Sequence, residues 1–413
     1  MRIGIFTDTY TPYVSGVVTS EVMLKESLEK MGHEVYVVTA NLENFHYSYD
    51  EKEKVLRIPG IPTGIYDTRL TSFYPFRAVN TIKKWDLDVI HSQSEFGIGT
   101  FARVIGKQFE IPVVHTYHTM YEDYKDYITK GYFDGTSTKI VQYITKFYCD
   151  KTIQELIVPT KKAYDLFKEK YKYDRNVHII PTGIDIEKFY RENVDQDKVN
   201  DLRKKLKIKS SDIVILYLGR IGYEKKIDFL IKNHAAVVKE YKNAKLLIVG
   251  DGPDSDKFKE MVTKLKIEDN VIFTGRVDWE STKYYYNLAD IFVTASDTET
   301  QGLTVVEALS SSLPVVALDD EAFRNVVIDG LSGYLFKDKK EYVKRVVELA
   351  KDKNLRVRMG NQGRINAEPF SSRYFAERVL DVYKIALNGK PEKEKKSFFE
   401  RLKNIIKNGI KGK

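Results

Sequence analysis

Short runs of β-branched and apolar residues alternate with segments of helical periodicity along most of the chain, and this alternation limits the fold more than any other feature. The first run, residues 2–7, is followed by a glycine turn and a helical segment at residues 17–31. Further runs that predict strands are residues 33–39, 88–91, 112–116, 155–159, 178–181, 213–218, 245–250, 271–273, 291–294 and 314–317. This alternation predicts parallel sheets with helices on both faces.

The predicted strands form two series, which are separated by the turn-like segment PTGIDIEKF. We therefore predict an α/β protein with two Rossmann-like, doubly wound domains, residues 1–180 and residues 190–372. A helix at about residues 373–388 is expected to pack back on the first domain, and residues 390–413 form a basic tail. Ligands of such sheets bind at the carboxyl ends of the strands, so the expected site lies in the cleft between the two domains.

Charge and cysteine content limit the classes of function. Of the net charge of +8, residues 390–413 carry +6, from nine Lys or Arg against three Glu. The nearly neutral remainder disfavours a nucleic-acid-binding protein, whereas the tail suits an anionic membrane surface. The single cysteine, Cys149, allows no disulfide within the chain, and neither a signal-peptide run nor a transmembrane run is evident. We expect a cytoplasmic protein that binds peripherally to the inner face of the cell membrane.

Two motifs in the first half of the chain follow predicted strands. In SGVVTS, Gly16 begins a helix whose backbone N–H groups could bind a phosphate, although a tight turn also explains a single glycine. In VVHTYHTMYEDY, two histidines at a strand end, His115 and His118, are followed by Tyr121 and Tyr124. One core and one solvated histidine would also fit, but the position at a strand end favours a site, and no neighbouring ligands suggest zinc.

Two motifs in the second half carry charged residues that suit a nucleotide donor. In LGRIGYEKK, Arg220 and Lys225 could bind an anionic diphosphate, one as a fork and the other as a point charge; simple solvation is the alternative. In SDTETQGLTVVEAL, Glu299 could accept hydrogen bonds from sugar hydroxyls and Glu307 from ribose hydroxyls. Between them lies a predicted helix start, suited to a phosphate, at Gly302, Leu303 and Thr304.

In this order the glycine turn, HTMY, GRIGYEKK, GDGPD, FTGRV and the E-x7-E element resemble the GT-B glycosyltransferases of family 4, over roughly residues 1–388. The resemblance implies a GT-B fold, in which two Rossmann-like domains face each other across a cleft, and a nucleotide-sugar donor. It places Gly16 near the donor phosphate and His118 near the donor sugar. Arg220 and Lys225 correspond to the basic pair that binds the diphosphate and stabilises it as the leaving group.

The same resemblance assigns the remaining donor contacts. Glu299 corresponds to the glutamate that contacts the sugar, Glu307 to the one that holds the ribose, and Val277 lies where the backbone reads the base. The implied catalytic residues are His118, Arg220, Lys225 and Glu299. Two positions depart from the family pattern: Ser15 replaces the first of two glycines, and the segment ALDDEAFRNVV has acids where Gly-Gly is common.

Within the family, HTMYEDYKDYI and TDTYTPYVSGVVTS most resemble bacterial enzymes that add α-glucose to diacylglycerol. This implies UDP-glucose as donor, 1,2-diacylglycerol as acceptor and retention of configuration, with Tyr121 and Tyr124 on the acceptor side. We expect neither a permanently bound cofactor nor a protein metal site, and dependence on added Mg²⁺ stays open. Alternatives are another donor or acceptor, such as mannosyl transfer to phosphatidylinositol or the use of a soluble sugar acceptor, and a membrane-associated nucleotide-binding module without activity.

Two segments have the composition of a membrane interface. In residues 396–413, apolar side chains fall on one helical face and lysines on the other, although a solvated terminus would also fit. Residues 69–85 combine aromatic and basic side chains, although Phe76, Val79 and Ile82 could instead face the core. The candidate membrane contacts are Phe73, Arg77, Lys83, Lys84, Trp85, Phe398, Phe399, Lys403 and Lys407.

Overall fold

The strands of the computed structural model lie in two separate sheets. The structure describes residues 1–13, 15–42, 45–62, 69–71, 75–95, 97–118, 153–299 and 301–389. The predicted fold class, an α/β protein with two Rossmann-like parallel sheets, is confirmed. The domain boundaries stay predictions; the strands of the first sheet end at Ile179, and those of the second begin at Ile213.

The first sheet has the order β3-β4-β2-β1-β6-β7-β8-β9, with β5 paired to β4. Its pairs are parallel except for β3–β4 and β4–β5. The central strand, residues 2–7, is buried at five of its six residues because helices cover both of its faces. The strands are β1 (Arg2–Thr7), β2 (Glu34–Asn41), β3 (Ser48–Asp50), β4 (Val55–Pro62), β5 (Arg69–Thr71), β6 (Val89–Ser92), β7 (Val113–Thr116), β8 (Glu155–Val158) and β9 (Val177–Ile179).

The second sheet has the order β12-β11-β10-β13-β14-β15, and all of its pairs are parallel. Its strands are β10 (Ile213–Leu218), β11 (Ala244–Val249), β12 (Val271–Phe273), β13 (Ile291–Thr294), β14 (Val315–Leu318) and β15 (Gly333–Phe336). Because β10 lies between β11 and β13, the loops after β10 and β13 leave the sheet side by side. Sequence reasoning missed β3, β4, β5 and β15; three of these are very short, and β4 contains two prolines, which are rare in strands.

Helices flank both sheets, and most of them begin at a side-chain cap. Ser15, for example, accepts a hydrogen bond from the backbone N–H of Val18 at 3.2 Å. The helices are α1 (Gly16–Lys30), α2 (Phe76–Trp85), α3 (Gly97–Phe109), α4 (Lys161–Asp165), α5 (Gln196–Lys205), α6 (Ile227–Glu240), α7 (Ser255–Leu265), α8 (Thr282–Leu288), α9 (Leu303–Ser310), α10 (Glu321–Arg324), α11 (Lys339–Lys351), α12 (Lys353–Ala367) and α13 (Ser372–Asn388).

The last helix, α13, packs on the first sheet although it follows the second in the chain. Its buried residues Phe375, Val379 and Tyr383 share an apolar cluster with residues of β1, β2 and α1. The chain crosses between the sheets twice at one point, where Ser372 N–H donates to the carbonyl of Ile184 at 2.8 Å. Gly183 allows this crossing, because a β-carbon there would lie 2.5 Å from that of Phe375. The helix therefore joins the two halves.

Candidate active site

The loops after β10 and β13 are tied together by ion pairs. Lys225 Nζ lies 2.5 Å from Glu299 Oε1, and both side chains are mostly shielded from solvent. Next to this pair, Lys226 is bonded to Asp297. Because β10 and β13 are neighbours in the sheet, residues 74 positions apart in the chain meet at its carboxyl edge. Two of the predicted donor-binding residues are thus brought into direct contact.

Arg220 lies at the start of the same loop, and its guanidinium is bonded to Glu224 one turn further along. The Arg220 side chain is 41% exposed, so it lies on the solvent-exposed side of the loop. Tyr217 donates a hydrogen bond to the Arg220 carbonyl at 3.1 Å, which anchors the loop to the end of β10. The edge of the second sheet therefore presents two cations, each already positioned by a carboxylate.

Helix α9 begins directly after the Glu299 loop. Gly302 precedes it with a φ of +71°, and a β-carbon there would lie 2.5 Å from the ring of Phe323. Both the backbone conformation and the close packing therefore require glycine. The first N–H groups of a helix have no partner within it, so Leu303 and Thr304 direct donors beyond the helix end. This is the predicted phosphate-binding turn.

Glu307 lies one turn into α9 and is 8% exposed. Tyr286 of α8 donates its O–H to Glu307 Oε2 at 2.6 Å. Burial raises the pKa of the Glu307 carboxyl to about 7, against the opposing effects of the Tyr286 hydrogen bond and of Lys188. Sequence reasoning missed Tyr286, because nothing local in the sequence links a tyrosine of α8 to a glutamate 21 residues later.

A second missed residue, Gln301, connects the donor loop to the crossing between the sheets. Its side-chain oxygen accepts a hydrogen bond from Thr182 N–H at 2.7 Å, and its side-chain nitrogen donates to the Thr182 carbonyl at 2.9 Å. Both groups are buried. Only an amide side chain carries a donor and an acceptor side by side, so Gln301 can bond both the N–H and the carbonyl of Thr182. These two hydrogen bonds hold the donor loop in place.

Two further donor residues lie near the helix starts. Val277, four residues after β12, is half-buried and packs against the same apolar cluster as Leu303. Gly16 is exposed at the start of α1, and a β-carbon built on it would lie 3.9 Å from Leu303 Cδ1. The N-termini of α1 and α9, which belong to different sheets, therefore approach each other closely across the site.

The two predicted histidines have different environments at the end of β7. His115 is fully buried, with Nε2 3.4 Å from Glu95 Oε1, and it is part of the core. His118 is half-buried beyond the strand end, and its Nε2 lies 2.6 Å from Gln93 Oε1. Burial lowers the pKa of His118 to about 4, so the imidazole is neutral at pH 7. Of the two histidines, His118 lies at the strand edge where ligands bind.

Helix α2 carries four of the predicted membrane contacts, namely Arg77, Lys83, Lys84 and Trp85. Trp85 is 6% exposed and stacks on Tyr36 with ring centroids 4.7 Å apart, so its prediction as a membrane contact is wrong. Phe76, by contrast, is 76% exposed rather than buried. Arg77, Lys83 and Lys84 are exposed on the same helix. The other predicted lipid-side residues lie outside the described residues, namely Phe73, Tyr121, Tyr124, Phe398, Phe399, Lys403 and Lys407.

The acids that replace the family's Gly-Gly have structural partners. Asp320 caps α10 by accepting a hydrogen bond from Ala322 N–H at 2.9 Å, and Asp319 pairs with Arg324 at 2.7 Å. Within the described ranges, no group of three or more His, Cys, Asp or Glu side chains is arranged to hold a metal ion. In the same ranges, no helix has the length and apolar content needed to cross a membrane.

Two parallel sheets that direct helix N-termini, basic side chains and glutamates into one cleft define the GT-B class of nucleotide-sugar transferases. A structure of the same fold is that of Anabaena HepE in complex with UDP-glucose, with a TM-score of 0.70 and 16% identity, over 93% of this chain and 100% of that one. Residues 14–188 match the family described as Glycosyltransferase Family 4, and residues 198–366 match Glycosyl transferases group 1.

Two curated relatives extend over most of the chain. The alpha-monoglucosyldiacylglycerol synthase of Acholeplasma laidlawii is 36% identical over 93% of this chain and 96% of its own. The enzyme of that name from Streptococcus pneumoniae is 39% identical over 84% of this chain and 78% of its own. This chain therefore belongs to glycosyltransferase family 4, and it is a hexosyltransferase of that family.

Proposed function

We propose that this protein transfers glucose from UDP-glucose to 1,2-diacylglycerol at a membrane surface, with retention of configuration, to give α-glucosyl-diacylglycerol. The observation that carries the proposal is the identity of 36% and 39% to two enzymes named alpha-monoglucosyldiacylglycerol synthase. These matches cover both halves of the chain, so they include the donor side and the acceptor side together.

Charge at the edge of the second sheet supports a sugar-diphosphate donor. In this proposal the diphosphate binds to Arg220, Lys225 and the N-terminus of α9, because side chains and helix dipole all supply positive charge there. Negative charge develops on the diphosphate as the glycosidic bond to the leaving group breaks. Preorganised cations at that position lower the barrier because they do not have to reorient during the reaction.

The two glutamates have different partners and therefore different tasks. Glu299 is held by Lys225 at the cleft, where its free oxygen can accept hydrogen bonds from glucose hydroxyls. Glu307 lies deeper, where the hydrogen bond from Tyr286 holds the carboxyl group that we assign to the ribose hydroxyls. Retention requires the acceptor hydroxyl to attack from the face that UDP leaves, so the acceptor must enter beside Arg220 and Lys225.

Helix α2 supports delivery of a lipid acceptor. Phe76, Arg77, Lys83 and Lys84 are exposed on it, a combination that suits an anionic interface. The basic tail, residues 390–413, adds a second predicted attachment. With both on the membrane, a peripheral protein at the inner face of the cell membrane can reach diacylglycerol without leaving the bilayer surface.

The proposal is tested by a screen of donors against acceptors. Purified protein is mixed with UDP-glucose, UDP-galactose or GDP-mannose, and with vesicles that contain diacylglycerol, phosphatidylinositol or neither lipid. We expect release of the nucleoside diphosphate, UDP or GDP, only with UDP-glucose and diacylglycerol, and an α-anomeric proton in the NMR spectrum of the product. Transfer to phosphatidylinositol, a β-anomer, or equal UDP release without an acceptor lipid would contradict the proposal.

A further inference from the structure

The hydrogen bond at His118 determines which of its ring nitrogens carries the proton. His118 Nε2 lies 2.6 Å from the side-chain oxygen of Gln93. An amide oxygen only accepts hydrogen bonds, so Nε2 must be the protonated nitrogen and Nδ1 the bare one. A neutral imidazole in this tautomer presents an acceptor, rather than a donor, on its other side.

The Gln93 side chain belongs to a buried network with His91, Thr116 and Tyr383. Its side-chain nitrogen lies 3.2 Å from His91 Nδ1, and the Tyr383 hydroxyl lies 2.7 Å from the same ring nitrogen. When His91 Nδ1 accepts from the Gln93 amide, His91 Nε2 carries the proton and donates to Thr116 Oγ1 at 2.7 Å. With the Gln93 oxygen toward His118, the Nε2–H of His118 has an acceptor and the Gln93 N–H faces His91 Nδ1. The flipped amide would instead require a bare Nε2 on His118 and a protonated Nδ1 on His91, so the orientation of the Gln93 amide and the His118 tautomer are coupled.

The backbone places this network where the reaction must occur. Gln93 directly follows β6 and is 4% exposed, and its N–H donates to the carbonyl of Phe6 at 2.8 Å. His118 follows β7, the neighbouring parallel strand, so both side chains leave the same edge of the first sheet. The far end of the network is Tyr383 of α13, the helix that joins the two halves of the molecule.

We propose that Gln93 is a positioning residue for glycosyl transfer, which holds His118 in the Nε2-protonated tautomer so that Nδ1 accepts a hydrogen bond from a hydroxyl of the donor sugar. The inference rests on the proposed function for the identity of that sugar, but not for the tautomer. An apolar side chain at position 93 would allow the His118 ring to adopt either tautomer or to rotate. A mixture of tautomers or of ring orientations would bind the sugar less well.

The electrostatic surroundings keep His118 neutral for this task. Burial lowers its pKa, the nearby His115 lowers it further, and Glu95 acts in the opposite direction. Burial also lowers the pKa of His91, so the network contains no imidazolium at pH 7. A carboxylate in place of the Gln93 amide would still accept from Nε2, but its charge would favour the imidazolium and raise the pKa of His118.

The test combines kinetics with nitrogen NMR of the full-length protein. In Gln93→Leu, we expect kcat with UDP-glucose and diacylglycerol vesicles to fall about tenfold or more, while the Kd of UDP alone changes less than about twofold, since UDP lacks the sugar. Long-range ¹H–¹⁵N spectra of ¹⁵N-histidine-labelled protein, assigned with His118→Asn, should show Nε2–H alone in wild type and a mixture in Gln93→Leu.

Gln154→Leu is the matched control. Gln154 accepts a hydrogen bond of the same length, 2.6 Å, from Val113 N–H at the opposite end of β7. Its loss should alter neither the His118 tautomer nor kcat. If Gln93→Leu also leaves both unchanged, the inference is wrong.

Gln93→Glu keeps the test valid if Gln93→Leu does not fold. We expect it to retain the Nε2–H tautomer and to shift the acidic limb of the kcat profile to higher pH by about one unit or more. An unshifted limb would overturn the inference. A wild-type protein with the expected tautomer that does not use diacylglycerol would refute the proposed function and leave the role of Gln93 intact.

Discussion

Replacing Lys225 by alanine should slow glycosyl transfer by about 100- to 1000-fold and leave the fold intact. The side chain of Lys225 is 17% exposed, so solvent screens its charge only partly. A unit charge about 4 Å from a developing negative charge contributes about 4 kcal/mol at an effective dielectric constant of 20. Partial exposure reduces this to about 3–4 kcal/mol, which corresponds to the expected loss of rate.

The loss should appear mainly in kcat, because the charge on the diphosphate grows as the bond breaks. Removal of Lys225 also leaves Glu299 without its partner at 2.5 Å, which adds a repulsive negative charge beside the diphosphate. The measurement is a steady-state assay of UDP release with diacylglycerol vesicles, together with thermal unfolding of each variant. Lys225→Met, which keeps the chain length of the side chain, separates lost charge from lost packing.

Lys232→Ala is the matched control for this experiment. Lys232 lies on α6 just beyond the same loop, and it forms an exposed pair with Asp228 at 2.8 Å. Such pairs contribute about 0.3–0.5 kcal/mol to stability, so this variant should keep wild-type kcat. If Lys225→Ala retains more than about a tenth of wild-type kcat, the role of Lys225 in leaving-group stabilisation is refuted.

Three further changes test other parts of the site. The KM for the donor should fall as pH rises through about 7, where Glu307 ionises. In Tyr286→Phe, this fall in KM should occur at higher pH, because the lost O–H had stabilised the Glu307 carboxylate. If donor titrations show the fall at the same pH in both proteins, Tyr286 does not stabilise the carboxylate. Gly302→Ala should lower the free energy of unfolding by about 1–3 kcal/mol in denaturant and weaken UDP binding in calorimetry. The φ of +71° and the contact with Phe323 both oppose a β-carbon at this position. An unfolding midpoint equal to that of the wild type would argue against both effects. Lys83→Gln should weaken binding to anionic vesicles, measured by co-sedimentation, by about 1 kcal/mol, or fivefold, with no effect on binding to neutral vesicles. If the variant and the wild type bind anionic vesicles equally, Lys83 of α2 does not contact the membrane.

Much of the fold could be predicted from local patterns. Buried strands of a parallel sheet need continuous apolar runs, and the helices that cover them need one apolar face. Both kinds of element can therefore be predicted from the sequence pattern. The same reasoning identified residues that follow strands, including His118, Arg220, Lys225 and Glu299, since ligands of such sheets bind at that edge. It missed β4 because Pro59 is atypical of a strand, and it misjudged Trp85 because an aromatic residue beside lysines suits a membrane as well as a core.

What the sequence by itself determined is therefore the set of elements and the kinds of side chain at their ends. Only the tertiary structure decided which of those side chains meet. Lys225 contacts Glu299 because β10 and β13 are neighbours, and Gln93 contacts His118 because β6 and β7 are. Strand order depends on how the helices pack between distant segments, and a hydrogen bond across 74 residues leaves no trace in the periodicity of either loop.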